Sequence, residues 1–209
     1  MIPVKVLAVR YLANAAPALA KALSAPKGYP ALAMLTTDCD DATYIALDAA
    51  TKAADVKVSY GRSFYAGAAN ASTPNAGEVI GILAGPTPGA VRSGMEAALS
   101  ALTRVGFEEV SGVPYLAHTV SSVGSFLACE AGVPLGSAIA YLIAPPLEGM
   151  YALDAALKAA DVKLCKLYAP PSETNFGGGL LSGTQSACDA ACAAFARAVA
   201  GVATRPVEQ

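Results

Sequence analysis

A twelve-residue stretch occurs twice in this chain. Ala46-Leu47-Asp48-Ala49-Ala50-Thr51-Lys52-Ala53-Ala54-Asp55-Val56-Lys57 returns as Ala152-Leu153-Asp154-Ala155-Ala156-Leu157-Lys158-Ala159-Ala160-Asp161-Val162-Lys163, with Leu157 for Thr51 as the one mismatch. The spacing is about half of the 209 residues, so the chain is a tandem duplication of one small unit. Two such units in one polypeptide point to symmetric assembly, since each carries a similar surface to bury.

Composition supports that reading. Charged residues make up 14% of the chain, against about 25% in an average domain, while 55% are hydrophobic. Much of the hydrophobic fraction is alanine, which suits tight helix packing. A chain so poor in charge is expected to hide surface in subunit contacts. Uninterrupted apolar runs such as Ala138–Pro146 fall short of the ~18 residues a membrane helix needs, so no membrane partner is expected. The net charge of −2 and the lack of a basic run argue against nucleic acid. The start, Met1-Ile2-Pro3-Val4-Lys5-Val6-Leu7, reads as a strand and not as a signal peptide. Five cysteines without framework spacing suggest reduced thiols in a cytoplasmic setting.

Hydrophobic periodicity places strands at Val4–Leu12, Ala31–Thr36, Val56–Tyr60 and Val79–Leu83, with helices at Ala15–Leu23, from Asp40 or Asp41 to Ala54, and at Gly89–Leu102. Asp40 or Asp41 is the expected N-cap of the second helix. The second half repeats the order: strands at Tyr115–Val120, Ala138–Ala144, Val162–Tyr168 and Leu180–Leu181, helices at Ser125–Ala131, Leu147–Ala160 and Thr184–Thr204. Each half is expected to be an α+β sandwich with its helices on one face of a small sheet, the halves being residues 1–106 and 107–209 with the seam near Gly106–Pro114. Long Gly/Pro/Asn/Ser-rich loops fall at the same place in both halves, Ser63–Ala76 and Ala169–Gly179. Loops beyond ~12 residues are uncommon in compact units and often carry function.

Catalytic chemistry finds little support. The sole histidine, His118, lies in a strand-like run without a nucleophile signature and reads as a packed or interface residue. Cys188 and Cys192 share a helical face, but no CxxC or histidine pair completes a metal site, so no metal or cofactor is expected. Gly177-Gly178-Gly179 lacks the lysine of a phosphate loop and suits close chain crossing at an axis or pore. The densest acidic feature is Asp38-Cys39-Asp40-Asp41, with more carboxylates than a cap requires. Glu78 leaves the first long loop and Glu173 sits in the second. If these acids converge, they bind a small cation; otherwise they cap a helix and line a solvated turn.

Several motifs are distinctive: Asp38-Cys39-Asp40-Asp41-Ala42-Thr43-Tyr44, Tyr60-Gly61-Arg62-Ser63-Phe64-Tyr65-Ala66-Gly67-Ala68, Gly77-Glu78-Val79-Ile80-Gly81, Ala144-Pro145-Pro146-Leu147-Glu148 and Pro170-Pro171-Ser172-Glu173-Thr174-Asn175-Phe176. With the duplicated helix they resemble the bacterial microcompartment (BMC) shell domain, and the chain is similar to tandem shell proteins of ethanolamine utilisation from about Val4 to Pro206. The resemblance implies two circularly permuted, ferredoxin-like BMC domains and a non-enzymatic chain. It implies a homotrimer forming a pseudohexagonal tile of the microcompartment shell beside other shell proteins, with a gated central pore and a small pore in each subunit for ethanolamine. Carried onto this chain, the small-pore residues are Asp40, Glu78 and Thr174, the Phe107 backbone, and Asp41 and Glu173 close by. The gate loops are Ser63–Ser72 (with Ser63, Phe64, Tyr65, Ala66, Gly67 and Asn70) and Ser172–Gly179 (with Asn175, Phe176 and Gly177). The junction Phe107–Pro114 is shorter than the family pattern implies. Competing readings are a propanediol or glycyl-radical shell protein and a duplicated regulatory module that binds a small amine.

Overall fold

The computed structural model describes residues 1–64, 77–170 and 172–207. They form two compact units. The N-terminal unit holds Pro3–Gly106 with Gly124–Leu127, and the C-terminal unit holds Phe107–Val123 and Ala128–Gln209 with Met1–Ile2.

The N-terminal unit runs β1 (Val6–Leu12), α1 (Pro17–Ala22), β2 (Ala31–Thr37), α2 (Asp40–Ala53), β3 (Lys57–Ser63), β4 (Val79–Gly85) and α3 (Pro88–Leu102). Its strands make one antiparallel sheet in the order β1-β2-β4-β3. The two central strands are the continuous apolar runs, as burial on both faces demands. Gly81 lies so close to α2 that an added Cβ would come 2.5 Å from Leu47. On the opposite face Leu32, Ile82 and Ala84 pack with Ala20, Leu23 and Tyr29. Apolar side chains therefore pack on both faces of the sheet and not on one, Ala20 coming from the short α1 and Leu23 and Tyr29 from the residues after it.

The C-terminal unit runs β5 (Glu108–Val110), β6 (Val113–Val120), then α4 (Ser125–Ala131, whose first turn is counted with the N-terminal unit), β7 (Ala138–Ala144), α5 (Pro146–Ala159), β8 (Val162–Tyr168), β9 (Gly177–Gly183) and α6 (Gln185–Thr204). Its antiparallel order is β5-β6-β7-β9-β8. Strand β5 has no counterpart among the described residues of the first half. It arises from the short junction, where Ser111 and Gly112 take φ of 51° and 80° and turn Val110 back onto Val113. A two-residue loop with both φ positive matches the twist of a hairpin.

One face of β7, Ala138, Ala140, Leu142 and Ala144, packs with Ala152, Leu153 and Ala156 of α5 and with Cys188, Ala191, Cys192, Phe195 and Val199 of α6. By length and composition α6 is apolar enough to cross a membrane, despite Asp189 and Arg197. Its apolar side instead fills this core. The mixed α+β class is as expected, with matching strand order in the two units apart from β5.

Candidate functional site

The acidic cluster opens α2, but no aspartate caps it. Cys39 is the N-cap, extended at φ −150° and ψ 110°, without a side-chain cap bond. Two buried threonines hold the turn instead. The Thr37 hydroxyl accepts the Cys39 N–H at 3.2 Å, and the Thr43 hydroxyl donates to the Cys39 carbonyl at 2.8 Å. The two hydroxyls meet at 2.7 Å. Asp38 accepts the Lys5 N–H at 2.7 Å, which ties it to the start of β1. Asp40 and Asp41 thus fall in the first helical turn, where the dipole favours negative charge, yet both are buried.

Asp40 accepts the Asp41 N–H at 2.9 Å. Burial pushes its carboxyl above the ordinary aspartate range, opposed by hydrogen bonds from the Ser63 hydroxyl and from backbone N–H groups. Ser63, at the end of β3, also meets the Tyr44 hydroxyl at 2.7 Å. Glu78 approaches from the entry to β4. Its N–H donates to the Thr37 carbonyl at 2.8 Å, and its own carbonyl accepts the Phe64 N–H at 2.9 Å. Gly77 permits this approach, since a Cβ there would stand 2.1 Å from the Thr37 carbonyl oxygen. The Glu78 carboxyl is pushed up to about 7, first by burial and then by the charges of Asp40 and Asp38.

The arrangement is a partly buried excess of carboxylate with hydroxyls beside it. The ion pairs Lys52–Asp48, Lys158–Asp154 and Lys166–Glu130 lie away from it. Such a cluster is complementary to a small cation that can give hydrogen bonds to two carboxylates. Burial raises the Cys39 thiol far above its usual range, and no metal-binding group of three acidic, histidine or cysteine residues occurs among the described residues. Cys188 and Cys192 are buried core residues. His118 sits opposite Tyr141 in the β6–β7 ladder.

The remaining candidates fall in the C-terminal unit. Residues 172–176 form a tight turn, with the Ser172 carbonyl accepting the Asn175 N–H at 3.2 Å and the Ser172 hydroxyl accepting the Phe176 N–H at 3.1 Å. Asn175 takes φ 63°, Thr174 is half-buried and Glu173 is exposed. Phe107 and Phe176 pack edge to face with centroids 5.5 Å apart, and the Phe107 carbonyl accepts the Ile2 N–H. That carbonyl, implied as a ligand group, already has an internal donor.

Two expectations about the loops change. Gly177, read as part of a gate, belongs to β9 with Gly178 and Gly179, hydrogen-bonded between β7 and β8. The triple glycine serves sheet packing: a Cβ on Gly178 would lie 1.9 Å from the Leu142 carbonyl oxygen. Ser63 is likewise a strand residue that reaches Asp40, a role its gate assignment missed. Tyr44 was missed as well, as nothing in spacing links it to Ser63. Phe64 follows β3 and is exposed, whereas Tyr65, Ala66, Gly67 and Asn70 lie outside the described residues.

Comparison with known proteins agrees over the whole length. Residues 31–115 match the model of the BMC domain. The chain is 57% identical over 206 residues to the bacterial microcompartment shell protein EutL of Clostridium perfringens, covering 97% of this chain and 95% of that protein. It is 46% identical over 208 residues to EutL of Salmonella typhimurium, covering 98% and 95%. The crystal structure of the ethanolamine utilization protein EutL from Leptotrichia buccalis superimposes with a TM-score of 0.95 at 55% identity, over 100% of this chain and 98% of that one.

Proposed function

The chain belongs to the EutL family of bacterial microcompartment shell proteins, and from that premise we propose that it is a non-catalytic wall component that binds ethanolamine at the Asp40–Glu78 cluster. Three copies form a flat tile with a central opening, and tiles abut one another and other shell proteins at the surface of the compartment.

The observation that carries the ligand reading is Glu78. Its carboxyl titrates near neutrality because burial and the charge of Asp40 oppose ionisation. A bound alkylammonium offsets that opposition by placing one positive charge beside both acids. The Ser63 and Tyr44 hydroxyls supply partners of the polarity an amino alcohol needs. Neutral alcohols gain nothing from the carboxylates, so the amine gives the selectivity and the hydroxyl refines it. Selective passage in such a wall then follows from width and lining charge, not from chemistry on the solute.

Calorimetric titration with ethanolamine tests this. Asp40→Asn and Glu78→Gln each weaken binding at least tenfold with unchanged circular dichroism, propylamine binds less tightly than ethanolamine, and ethanol does not bind. Equal affinity in the wild type and both variants removes the site. Electron micrographs of the concentrated protein test the tile: flat particles of three chains support it, and discrete one-chain particles overturn it.

A further inference from the structure

Helices α3 and α6 are a duplicated pair, and their N-caps Thr87 and Thr184 set the register between them. Val91, Met95 and Leu102 then correspond to Cys188, Cys192 and Val199, and all six are buried. On the outer side the two copies part. Ser100 and Arg104 of the first copy correspond to Arg197 and Gly201 of the second. The Arg104 guanidinium donates to the Ser100 hydroxyl at 3.0 Å, so a neighbour one turn away satisfies it. In the second copy arginine stands one turn earlier, glycine takes the matching place, and Arg205 follows one turn after it.

Arg197, Gly201 and Arg205 succeed one another at intervals of four and so share one side of α6, the two arginines about 12 Å apart along the axis. Arg205 is the C-cap, and its N–H donates to the Gly201 carbonyl at 3.1 Å, which fixes it one turn beyond the glycine. Nothing lies within 4 Å of the place a Gly201 Cβ would take. Both guanidiniums can therefore swing toward the open space over Gly201. That space belongs to an open groove of about 1260 Å³ along α5 and α6, lined by Met150, Ala194, Arg197, Gly201, Val202 and Arg205 among others. No acidic side chain occurs among its described lining residues. Neither guanidinium has an ion pair or a side-chain hydrogen bond among the described residues. Helix α5 opens at Pro146 on the same groove without a side-chain cap bond, so its dipole adds potential of the same sign.

We propose that Arg197 and Arg205 bind the phosphoryl group of a small, soluble phosphate monoester over Gly201, with the organic body of the ester on Met150 and Val202. The guanidinium fork matches phosphate oxygens, and a dianion answers two cations that no carboxylate in the groove offsets. An uncharged apolar ligand would leave both arginines unused, and bare phosphate would leave the apolar wall unused. The site is the chemical opposite of the Asp40–Glu78 cluster, taking an anion where that cluster takes a cation, and it does not depend on the amine reading.

Calorimetric titration of the full chain with phenyl phosphate at fixed ionic strength tests the site, with inorganic phosphate as the reference for the apolar part. Phenyl phosphate is expected to bind more tightly than inorganic phosphate. Arg197→Gln and Arg205→Gln each weaken it about tenfold or more with unchanged circular dichroism, as loss of a charge-assisted bond requires. Arg104→Gln removes a cation outside the groove and leaves affinity unchanged. Gly201→Asp keeps both arginines but places a carboxylate between them in the open space, so it abolishes binding. That variant decides the matter if either glutamine variant loses its circular dichroism. Equal weakening by Arg104→Gln would show attraction to net charge alone and overturn the site. So would a wild type that does not bind phenyl phosphate, or full binding by either glutamine variant or by Gly201→Asp. Equal affinity for the two phosphates removes the monoester assignment.

Discussion

Asp48 and Asp154 hold the same position in the two copies of the duplicated stretch, yet they do different work. Asp48 is fully buried and accepts the N–H groups of Gly124 at 2.7 Å and Leu127 at 2.9 Å, with Lys52 nearby at 3.4 Å. Asp154 is exposed and holds Lys158 at 2.6 Å. Asp48→Ala strands two N–H groups and is expected to cost about 2–5 kcal/mol. Asp154→Ala costs under about 0.5 kcal/mol within one chain. Urea unfolding of both variants at low protein concentration measures the two losses. Equal losses would contradict the assignment.

The helices that close the two units start alike. The Thr87 hydroxyl accepts the Ala90 N–H at 3.1 Å, and the Thr184 hydroxyl accepts the Ala187 N–H at 3.1 Å. Each Thr→Ala change removes one N-cap bond and is expected to lower stability by about 1 kcal/mol. The caps sit on separate helices without a shared partner, so the double variant loses about 2 kcal/mol by the same unfolding assay. A double loss no greater than either single one would mean that the caps do not act independently.

What could be read from residue order alone divides along physical lines. Strands such as Ala138–Ala144 were legible because an apolar run of that length has one stable use. The duplicated helices were legible for the same reason. Asp48 and Asp154 were not distinguishable, since identical neighbours along the chain say nothing of what covers them in space. Residues 177–179 read as a loop because glycine runs mark turns; in β9 they answer to the closeness of Leu142 and Lys166. The cap of α2 passed to Cys39 because Thr37 and Thr43 satisfy the turn from within. The acid cluster was visible as a sequence feature, but the link from Asp40 through Ser63 to Tyr44 exists only once β3 lies beside α2.

That reading of β9 has its own test. A methyl group on Gly178 would lie 1.9 Å from the Leu142 carbonyl oxygen, in a backbone conformation (φ 156°) that side chains rarely adopt. Gly178→Ala must displace β7 or break the ladder, and is expected to cost about 3 kcal/mol or more. A much lower melting temperature or insoluble protein is the anticipated result. A melting point within two degrees of wild type would show that the glycines serve something other than sheet packing.

Glu78 links the site to pH in two opposite directions. Its carboxyl titrates near 7 in the folded chain against an ordinary value of 4.5. Between those values the native state keeps a proton that the unfolded chain has released, so stability falls as pH rises through this window. Wild type is therefore expected to melt at a higher temperature at pH 5 than at pH 7.5, with Glu78→Gln flattening the difference. Amine binding runs the other way, because an ammonium group needs the carboxylates ionised. Ethanolamine affinity should rise from pH 5.5, approaching tenfold per unit while the cluster is protonated, and level off above about 7. The charge of Asp40 contributes to the raised value of Glu78, so Asp40→Asn is expected to move the inflection to lower pH. Calorimetry at four pH values between 5.5 and 8.5, on wild type and Glu78→Gln, reads both the slope and its loss. A slope that persists undiminished in the variant would assign the titration to another group and take the amine away from this carboxylate.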